Sequence, residues 1–333
     1  MAVQADPRTL PRFPLIATPT PLQRANRLES AVGAGPIYVK RDDLTGFAVA
    51  GNKARKLELL VADALSSGSD VVVTGGGTGS NHTLATAAAA RVAGLDCVVL
   101  HYGDPPAEEP PGVRLARYFG AAIRFTGDSR RDSVDHGLAT LADQLRSAGR
   151  RPYVIPRGGA TPLGAAAYGL ALDELAAQLD VDPVTIVVAT GSGGTQAGLV
   201  AGVVHGGRRW QVVGASVSRP VDECLDRVLR LARGAASLYG WPPAESGDVA
   251  VRDMRGPGYG ISSAESNAAA RLAAHHEGLL LDPVFTAKAM AQVIRLATTG
   301  PPGPIVFWHT GGVLAALWAA GRDEAGGAVR VQP

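Results

Sequence analysis

Lysine is the least frequent charged residue in this chain. Only four of the 32 basic residues are lysines, Lys40, Lys53, Lys56 and Lys288, and the other 28 are arginines. An arginine keeps its proton and cannot form a Schiff base, whereas a desolvated lysine can lose its proton and attack a carbonyl carbon. Lys53, in the stretch Gly51-Asn52-Lys53-Ala54-Arg55-Lys56, is therefore our first candidate for covalent catalysis. The alternative is an ordinary surface lysine.

Cysteine is also scarce, and long apolar runs and an excess of one charge are absent. Cys97 and Cys224 stand far apart in apolar surroundings without metal-ligand spacing, so we expect two buried thiols, a reducing compartment and no metal site. No run of 18 apolar residues occurs, and residues 1–14 lack the apolar core of a signal peptide. We therefore expect a cytoplasmic protein with no membrane partner. A net charge of +2 with interspersed signs predicts no nucleic-acid partner.

The chain alternates short β-branched runs with alanine-rich segments, and this pattern predicts an α/β fold with open, mainly parallel sheets. Its length of 333 residues favours two lobes. The predicted strands are 37–40, 70–74, 97–101, 153–156, 185–190, 211–215 and 305–309. The predicted helices are 53–67, 81–93, 113–119, 132–148, 164–179, 196–205, 220–239, 263–277, 286–297 and 313–320. Segments 103–112 and 241–259 are predicted to be surface loops.

Three glycine-rich turns, at 74–82, 190–196 and 309–312, follow strands, and helices follow them. Backbone N–H groups and the helix dipole can hold an anion at such a turn, although a turn of this kind can also be a plain connection. None contains the Gly-Lys-Ser/Thr of a P-loop. The dinucleotide pattern G-x-G-x-x-G fails at Ser80 and Gln196, which leaves only a weak case for an NAD-dependent oxidoreductase. Combined with Lys53, the turns suggest a cofactor with an aldehyde and a phosphate, as in pyridoxal phosphate.

Six motifs occur in order along the chain. They are Lys40-Arg41-Asp42-Asp43-Leu44 with Gly51 to Glu58, Ser80-Asn81-His82, Gly191 to Gly198, Gly258-Tyr259-Gly260, Leu281-Asp282-Pro283-Val284 and His309-Thr310-Gly311-Gly312. They resemble, in the same order, motifs of the 1-aminocyclopropane-1-carboxylate deaminase and D-cysteine desulfhydrase family of fold-type II, tryptophan synthase beta-like pyridoxal phosphate enzymes. The resemblance runs from about Pro14 to about Leu317.

The resemblance implies a large cofactor-binding domain, 1–56 with 166–333, and a small domain, 57–165, that closes over the substrate. It implies Lys53 as the Schiff-base lysine and the base at Cα, and Gly191, Ser192, Gly193, Gly194 and Thr195 as the phosphate cup. Lys56 is placed to approach the phosphate, Asn81 to lie near the ring hydroxyl and Thr310 to face the pyridine nitrogen. Substrate would meet Ser80, Asn81, His82, Tyr259 and Phe285, with Ser80 and Tyr259 also catalytic.

A neutral hydroxyl at Thr310 would leave the pyridine nitrogen largely unprotonated, and this favours prompt loss of a β-substituent over transamination. The alternative role for Thr310 is a helix N-cap.

Several positions depart from the family pattern. Phe285 replaces the usual Tyr, Thr286 the Glu of deaminases, Gly79 a Gln, and Leu84-Ala85 a polar pair. Loss of the phenol weakens a deaminase activity more than a desulfhydrase activity, because thiolate leaves without much acid help.

The sequence therefore predicts a lyase that acts on a small amino acid by D-cysteine desulfhydrase-like β-elimination, to give a 2-oxo acid and ammonia. The departures from the family pattern leave an altered substrate open. Alternatives are 1-aminocyclopropane-1-carboxylate deamination and β-replacement; more remote ones are an NAD-dependent oxidoreductase and a cofactor-free binding protein. A homodimer is expected.

Overall fold

Two sheets form the framework of the molecule. The computed structural model describes residues 10–300 and 303–323. The larger sheet has the order β1-β2-β10-β7-β8-β9, and every neighbouring pair is parallel except β1 and β2. Its strands are β1 (Leu22–Arg24), β2 (Ile37–Arg41), β7 (Thr185–Thr190), β8 (Gln211–Ser216), β9 (Ala250–Asp253) and β10 (Ile305–His309). The smaller sheet is wholly parallel, in the order β5-β4-β3-β6. Its strands are β3 (Val71–Gly76), β4 (Asp96–His101), β5 (Ala122–Phe125) and β6 (Pro152–Ile155).

Helices connect most of the strands and cover the sheets, as parallel pairing requires. The helices are α1 (Asn26–Val32), α2 (Asn52–Ser66), α3 (Asn81–Val92), α4 (Pro111–Tyr118), α5 (Ser133–Ser147), α6 (Pro162–Gln178), α7 (Gly194–Gly206), α8 (Val221–Tyr239), α9 (Ala264–Glu277), α10 (Thr286–Thr299) and α11 (Val313–Asp323). The packing is close because alanine and glycine are frequent on the helices. Gly198 of α7 shows this, since a Cβ there would lie 1.9 Å from the Ala165 carbonyl oxygen of α6.

The predicted α/β class and parallel sheets are confirmed, and each predicted strand and helix is present with its ends shifted by a few residues. The loop predicted at 241–259 is wrong, because it contains β9 and buries Trp241 and Val251. Strands β1 and β5 and helix α1 were also not predicted from the sequence. Together with β9, these strands lie at sheet edges, where a strand of three or four residues that include polar ones carries little signal.

A buried cluster of charged side chains fixes the start of α2. Arg55 donates to both carboxylate oxygens of Asp42, at 2.9 to 3.1 Å, and to Glu174. Asp42 also accepts from the Trp308 indole N–H at 2.8 Å and from the Tyr168 hydroxyl at 2.7 Å. Because every member has several partners, this network holds α2 against β10 and α6 with little freedom to shift.

The cysteines, metal ligands, membrane helices and domain limits were also addressed by the sequence-based predictions. Cys97 and Cys224 are buried and unpaired, as predicted. Across the described ranges, no group of side chains suited to a metal ion occurs, and no helix is long and apolar enough to cross a membrane. The predicted domain limits at 56/57 and 165/166 fall inside α2 and α6, so the two-domain division stays a prediction. Residues 1–9, 301–302 and 324–333 of the predicted large domain lie outside the described residues, and they include most of the N-terminal segment 1–14.

Candidate active site

One pocket lies at the carboxyl ends of the strands of both sheets, the usual position for a ligand in parallel α/β folds. It brings together eleven of the thirteen residues that the sequence analysis singled out. These are Lys53, Ser80, Asn81, His82, Gly191, Ser192, Gly193, Thr195, Tyr259, Phe285 and Thr310. The other two, Lys56 and Gly194, lie directly behind the pocket wall and against each other, since a Cβ on Gly194 would lie 3.0 Å from Lys56 Nζ.

Lys53 is the second residue of α2 and is partly exposed to the pocket. The helix starts against the loop after β10, where the Asn52 N–H donates to the Thr310 carbonyl oxygen at 2.9 Å. Gly51 makes this approach possible, because a Cβ there would lie 2.3 Å from that oxygen, and its φ of +55° favours glycine. Burial lowers the pKa of Lys53 from 10.5 to about 8, and the nearby Asp282 carboxylate opposes the shift. The amine can therefore take up and release a proton near neutral pH.

Asp282 is a pocket residue that the sequence analysis quoted in a motif but did not assign a role. Its carboxylate accepts from the N–H groups of Val284, Phe285 and Thr286 at 2.7 to 3.1 Å, and from the Thr286 hydroxyl at 2.7 Å. Burial nevertheless raises its pKa, and these hydrogen bonds oppose that shift. Thr286 is fully buried, its hydroxyl donates to Asp282, and it does not line the pocket. An aspartate four residues before a helix start was the available signal.

The turn between β7 and α7 presents the open N-terminus of a helix to the pocket. Gly193, with a φ of +87°, is the residue before α7, and no side chain caps the helix. The first N–H groups of the helix therefore have no intrahelical acceptor. Asn52 Nδ2 donates to Thr195 Oγ1 at 3.0 Å, and Arg227 Nε donates to the Ser192 carbonyl oxygen at 2.8 Å. The turn is held in place from both sides while its amide groups face the pocket.

Lys56 is a buried cation that lacks a matching anion. It is 1% exposed, and its Nζ donates to the Gly158 carbonyl oxygen at 3.3 Å. It makes no ion pair with any carboxylate in the described part of the chain. Burial holds its pKa well below 10.5, and the neighbouring Lys53 lowers it further. A phosphate dianion held by the adjacent helix N-terminus would supply the missing charge, so these residues fit a phosphorylated cofactor.

The N-terminus of α3 forms the opposite wall. Ser80 precedes the helix and its side chain makes no capping hydrogen bond, so the first N–H groups of α3 are open to an anion. His82, buried on this helix, lies 2.9 Å through Nε2 from Thr74 Oγ1. Because the Thr74 hydroxyl donates to the Ile155 carbonyl oxygen, His82 Nε2 must be the donor in that contact. Burial keeps the pKa of His82 well below 6.5, so this histidine is neutral.

Two aromatic rings and one hydroxyl line the remaining wall. The rings of Tyr259 and Phe285 meet edge to face, with centroids 6.1 Å apart. Burial raises the pKa of the Tyr259 phenol, which is therefore protonated at neutral pH. Thr310 is 9% exposed and lines the pocket. Since α11 begins at Val313, the position before the helix is Gly312, and Thr310 is not its N-cap.

The sequence analysis missed the charged side chains of the pocket other than Lys53. Besides Asp282 they are four arginines, Arg131, Arg157, Arg219 and Arg227. They come from four separate segments, and in a chain with 28 arginines no local pattern marks them. Only Arg157, between strand β6 and a Gly-Gly pair, had a sequence context typical of a strand-end site.

Comparison with known proteins gives a consistent result. The sequence profile of the family described as pyridoxal-phosphate dependent enzyme matches residues 14–311. The chain is 40% identical over 320 residues to proteins named D-cysteine desulfhydrase from Salmonella newport (strain SL254) and Salmonella enteritidis PT4 (strain P125109). The alignments cover 92% of this chain and 95% of each relative. A solved structure described as an ACC deaminase homologue superposes with a TM-score of 0.89 at 36% identity, covering 96% of this chain and 97% of the other.

The chain therefore belongs to the family of pyridoxal-phosphate dependent enzymes. Its cofactor is pyridoxal phosphate, and the family and fold type predicted from the six motifs are confirmed. The open helix N-terminus, the buried Lys56 and a lysine with a lowered pKa fit the phosphate and the aldehyde of this cofactor. An NAD-dependent oxidoreductase and a cofactor-free binding protein are thereby disfavoured.

Proposed function

We propose that this enzyme is a pyridoxal phosphate-dependent lyase that removes the β-substituent of a small amino acid and yields a 2-oxo acid and ammonium. The observation that carries the proposal is the position of Lys53, whose pKa is lowered to about 8, in one pocket between two open helix N-termini. The 40% identity to proteins named D-cysteine desulfhydrase supports the same reaction class.

Each part of the pocket has a role in holding the cofactor or the substrate. Lys53 would bind the aldehyde carbon, and the turn from Gly191 to Thr195, backed by Lys56, would hold the phosphate. Asn81 would lie near the ring hydroxyl. Thr310 offers a neutral hydroxyl to the ring nitrogen and would not keep a proton there. When bound, the cofactor withdraws electrons from the substrate α-carbon.

The chain's own residues then carry the protons. The open N–H groups at the start of α3, beside Ser80, would hold the substrate carboxylate and orient the Cα–H bond. Lys53 Nζ would take the proton from Cα, and the Asp282 carboxylate would stabilise the ammonium that results. The Tyr259 phenol, with its raised pKa, keeps its proton and can act as an acid or hydrogen-bond donor toward the β-substituent. Ser80 is the second hydroxyl within the pocket suited to this work.

A specific departure makes the deaminase alternative less favourable. Opening a cyclopropane ring requires acid or nucleophilic help at a carbon leaving group. The Tyr259 phenol could supply part of that help, but Phe285 offers no second hydroxyl beside it. Thr286 cannot replace it, because its hydroxyl is buried against Asp282. We therefore place β-elimination ahead of 1-aminocyclopropane-1-carboxylate deamination, although the solved homologue is named for the latter. β-Replacement differs only in the nucleophile that follows elimination.

The role of Lys53 is tested by chemical trapping. Borohydride reduction of the purified protein should attach a pyridoxyl group to the peptide that contains Lys53, with the peptides of Lys40 and Lys288 as unmodified internal controls. Lys53→Ala should lose both visible absorbance and turnover. Lys53→Arg should fail equally, because it keeps the charge but loses the nucleophile. A Lys53→Ala protein that retains the visible absorbance of the native enzyme would falsify the assignment.

The reaction class is tested by the products. Purified enzyme incubated with D- and L-cysteine, β-chloroalanine and 1-aminocyclopropane-1-carboxylate should release pyruvate and ammonium from a β-substituted alanine. Release of 2-oxobutanoate as the dominant product would instead assign the deaminase function. A substituted amino acid formed on addition of a second thiol, without 2-oxo acid, would assign β-replacement.

We also propose a homodimer in the cytoplasm, on the basis of the family resemblance. Light scattering of the purified protein and fractionation of the source cells test the two statements separately.

A further inference from the structure

Four arginines are among the residues that line the active-site pocket. Arg131 precedes α5, Arg157 follows β6, Arg219 follows β8 and Arg227 lies on α8. They therefore come from segments beside both sheets and meet at the same pocket. A collection of like charges in a partly buried space is costly unless an anion compensates them.

The carboxylates near these arginines balance only half of the charge. Arg157 forms a two-bond ion pair with Asp135, with N–O distances of 2.9 and 2.5 Å. Arg219 pairs with Glu223, whose side chain is 50% exposed. Within the described ranges, Arg131 and Arg227 form no ion pair with any carboxylate. Asp282, the acidic residue in the pocket lining, lies at the Lys53 end.

Unsatisfied polar atoms occur at the same place. Ser218 Oγ and Arg219 Nε are shielded from solvent, and neither has a hydrogen-bond partner among the residues described. Both residues line the pocket. Buried donors of this kind are normally paired. Two adjacent unpaired donors therefore indicate that a ligand with acceptor atoms binds here.

The electrostatics of the cluster agree with this reading. Burial lowers the pKa of Arg131, and the charges of Arg157 and Arg219 lower it further, although two tyrosine side chains act in the opposite direction. Burial likewise lowers the pKa of Arg227, followed by the charges of Arg219 and Arg157. The guanidinium groups therefore repel one another within interaction range, and a bound anion would relieve that repulsion.

The cluster lies next to the aromatic wall at which the β-substituent would leave. The Arg131 guanidinium carbon is 3.9 Å from the Tyr259 ring centroid. Tyr259 is also within electrostatic range of Arg157, Arg219 and Asp282. The open N-termini of α3 and α7 already provide places for the substrate carboxylate and the cofactor phosphate. The arginines are thus available to a third anionic group.

We propose, building on the β-elimination function, that the substrate is a three-carbon amino acid whose β-carbon bears a tetrahedral oxyanion, either a sulfonate or a phosphate ester. Arg131, Arg219 and Ser218 bind the oxyanion in the ground state and stabilise the charge that develops as it leaves. A sulfonate departs as sulfite, a stable anion that needs no proton, and this fits the absence of a hydroxyl at Phe285. A phosphate ester departs as hydrogenphosphate, with its proton already on the ester monoanion or supplied by the Tyr259 phenol.

The proposed reaction balances without an oxidant or reductant. The Cα–H bond breaks and its proton goes to Lys53. The bond from Cβ to sulfur or oxygen breaks, and its electron pair leaves with sulfite or phosphate. The three-carbon enamine that remains takes up a proton at Cβ, and water supplies the ketone oxygen as nitrogen departs. The products are therefore pyruvate, ammonium and the released anion.

The first experiment compares leaving groups on the cofactor-loaded enzyme. Both enantiomers of cysteate and of O-phosphoserine are tested against cysteine and β-chloroalanine, with pyruvate, sulfite and phosphate measured directly. We expect one oxyanion substrate to have a kcat/KM at least tenfold above that of β-chloroalanine, and the sulfite and phosphate arms identify which. Turnover of β-chloroalanine or cysteine without either oxyanion substrate would overturn this inference and leave the β-elimination function standing. No turnover of any β-substituted alanine would instead defeat the proposed function.

The second experiment removes one charge. Arg131→Gln should lower kcat/KM for the oxyanion substrate by about ten- to a hundredfold more than kcat/KM for β-chloroalanine, since one charge-assisted hydrogen bond is lost. The matched control is Arg130→Gln, because Arg130 is exposed and paired with Asp128 and should change neither value. Equal losses for both substrates in Arg131→Gln would show that this arginine binds the common carboxylate, and would refute the proposal.

A binding measurement avoids dependence on turnover. 3-Sulfopropanoate, which has no amino group, should bind the loaded wild-type enzyme at least tenfold more tightly than butanoate in isothermal titration, and Arg131→Gln should abolish the difference. Equal affinity for the two probes contradicts the proposal. So does a weaker cofactor affinity in Arg131→Gln with no change in probe binding, because the arginine would then serve the phosphate.

Discussion

Replacing Lys56 by Met should stabilise the cofactor-free protein and weaken cofactor binding at the same time. Lys56 Nζ is fully buried, has one carbonyl acceptor at 3.3 Å and makes no ion pair within the described ranges. Protonated Lys56 therefore destabilises the folded, cofactor-free protein. Methionine fills a similar volume without a charge. We expect the free energy of unfolding of the cofactor-free variant to rise by more than about 1 kcal/mol at pH 7.

The sign of the pH dependence follows from the direction of the shift. The pKa of Lys56 is well below 10.5 in the folded state, so between these values the unfolded chain binds more protons. Stability of the wild type then increases with pH through this window, by up to about 1.4 kcal/mol per pH unit for one group. In Lys56→Met that contribution is missing. The advantage of the variant should therefore shrink as pH rises from 7 toward 10.

The same change removes a cation from behind the phosphate cup. Losing a charge-assisted hydrogen bond of about 1.5 to 3 kcal/mol should raise the cofactor dissociation constant about ten- to a hundredfold. The assays are urea unfolding of cofactor-free protein at several pH values and titration with pyridoxal phosphate. Lys40→Met is the matched control, because Lys40 is equally buried but donates to Thr20, Glu174 and Gln178, and its loss should lower stability. A cofactor-free Lys56→Met protein that is less stable than wild type, with unchanged cofactor affinity, would refute the reasoning.

Three further changes give distinct outcomes. Thr195→Val should raise the cofactor dissociation constant about ten- to a hundredfold in the same titration, since it removes one hydroxyl from the phosphate cup and leaves Asn52 Nδ2 unpaired. An unchanged constant would argue against the phosphate cup. Phe285→Tyr should raise turnover of cysteine, measured as sulfide release, whereas the unmodified enzyme should show little or no activity on 1-aminocyclopropane-1-carboxylate; robust ring opening would restore the deaminase reading. Arg55→Leu should destabilise the protein by about 3 to 5 kcal/mol in urea unfolding, because Asp42 stays buried without its cation; a loss below about 1 kcal/mol would contradict that account.

Much of the fold was predictable because its central elements carry strong local signals. Parallel strands such as β3 and β7 are buried on both faces and read as continuous apolar runs, each followed by a glycine-rich turn. The edge strand β9 was missed for the converse reason, since two of its four residues, Arg252 and Asp253, are charged and exposed. Its burial depends on pairing with β8, which is distant in sequence and leaves no trace in a local window.

The scarcity of lysine pointed to Lys53, and the structure shows that the other three lysines also occupy special positions. Lys40, Lys56 and Lys288 are at most 1% exposed, and Lys53 lines the pocket. All four thus occupy sites where a compact ammonium fits and a planar guanidinium would need more space and more acceptors. The surface, in contrast, uses arginine. Composition therefore narrowed the search to four positions, and the glycine turns selected Lys53 among them.

The arginine cluster could not be found in the same way, and its absence from the prediction changed how Phe285 was interpreted. From the sequence, Phe285 was a lost acid in a pocket otherwise built for thiolate. In the structure it stands 6.1 Å from Tyr259, whose ring packs against Arg131. A cationic wall stabilises a departing anion without transferring a proton, so a phenol at this position is dispensable for a leaving group that is already a stable anion. The substitution and the cluster are then two aspects of one specificity, and neither is interpretable from residues that lie close together in the chain.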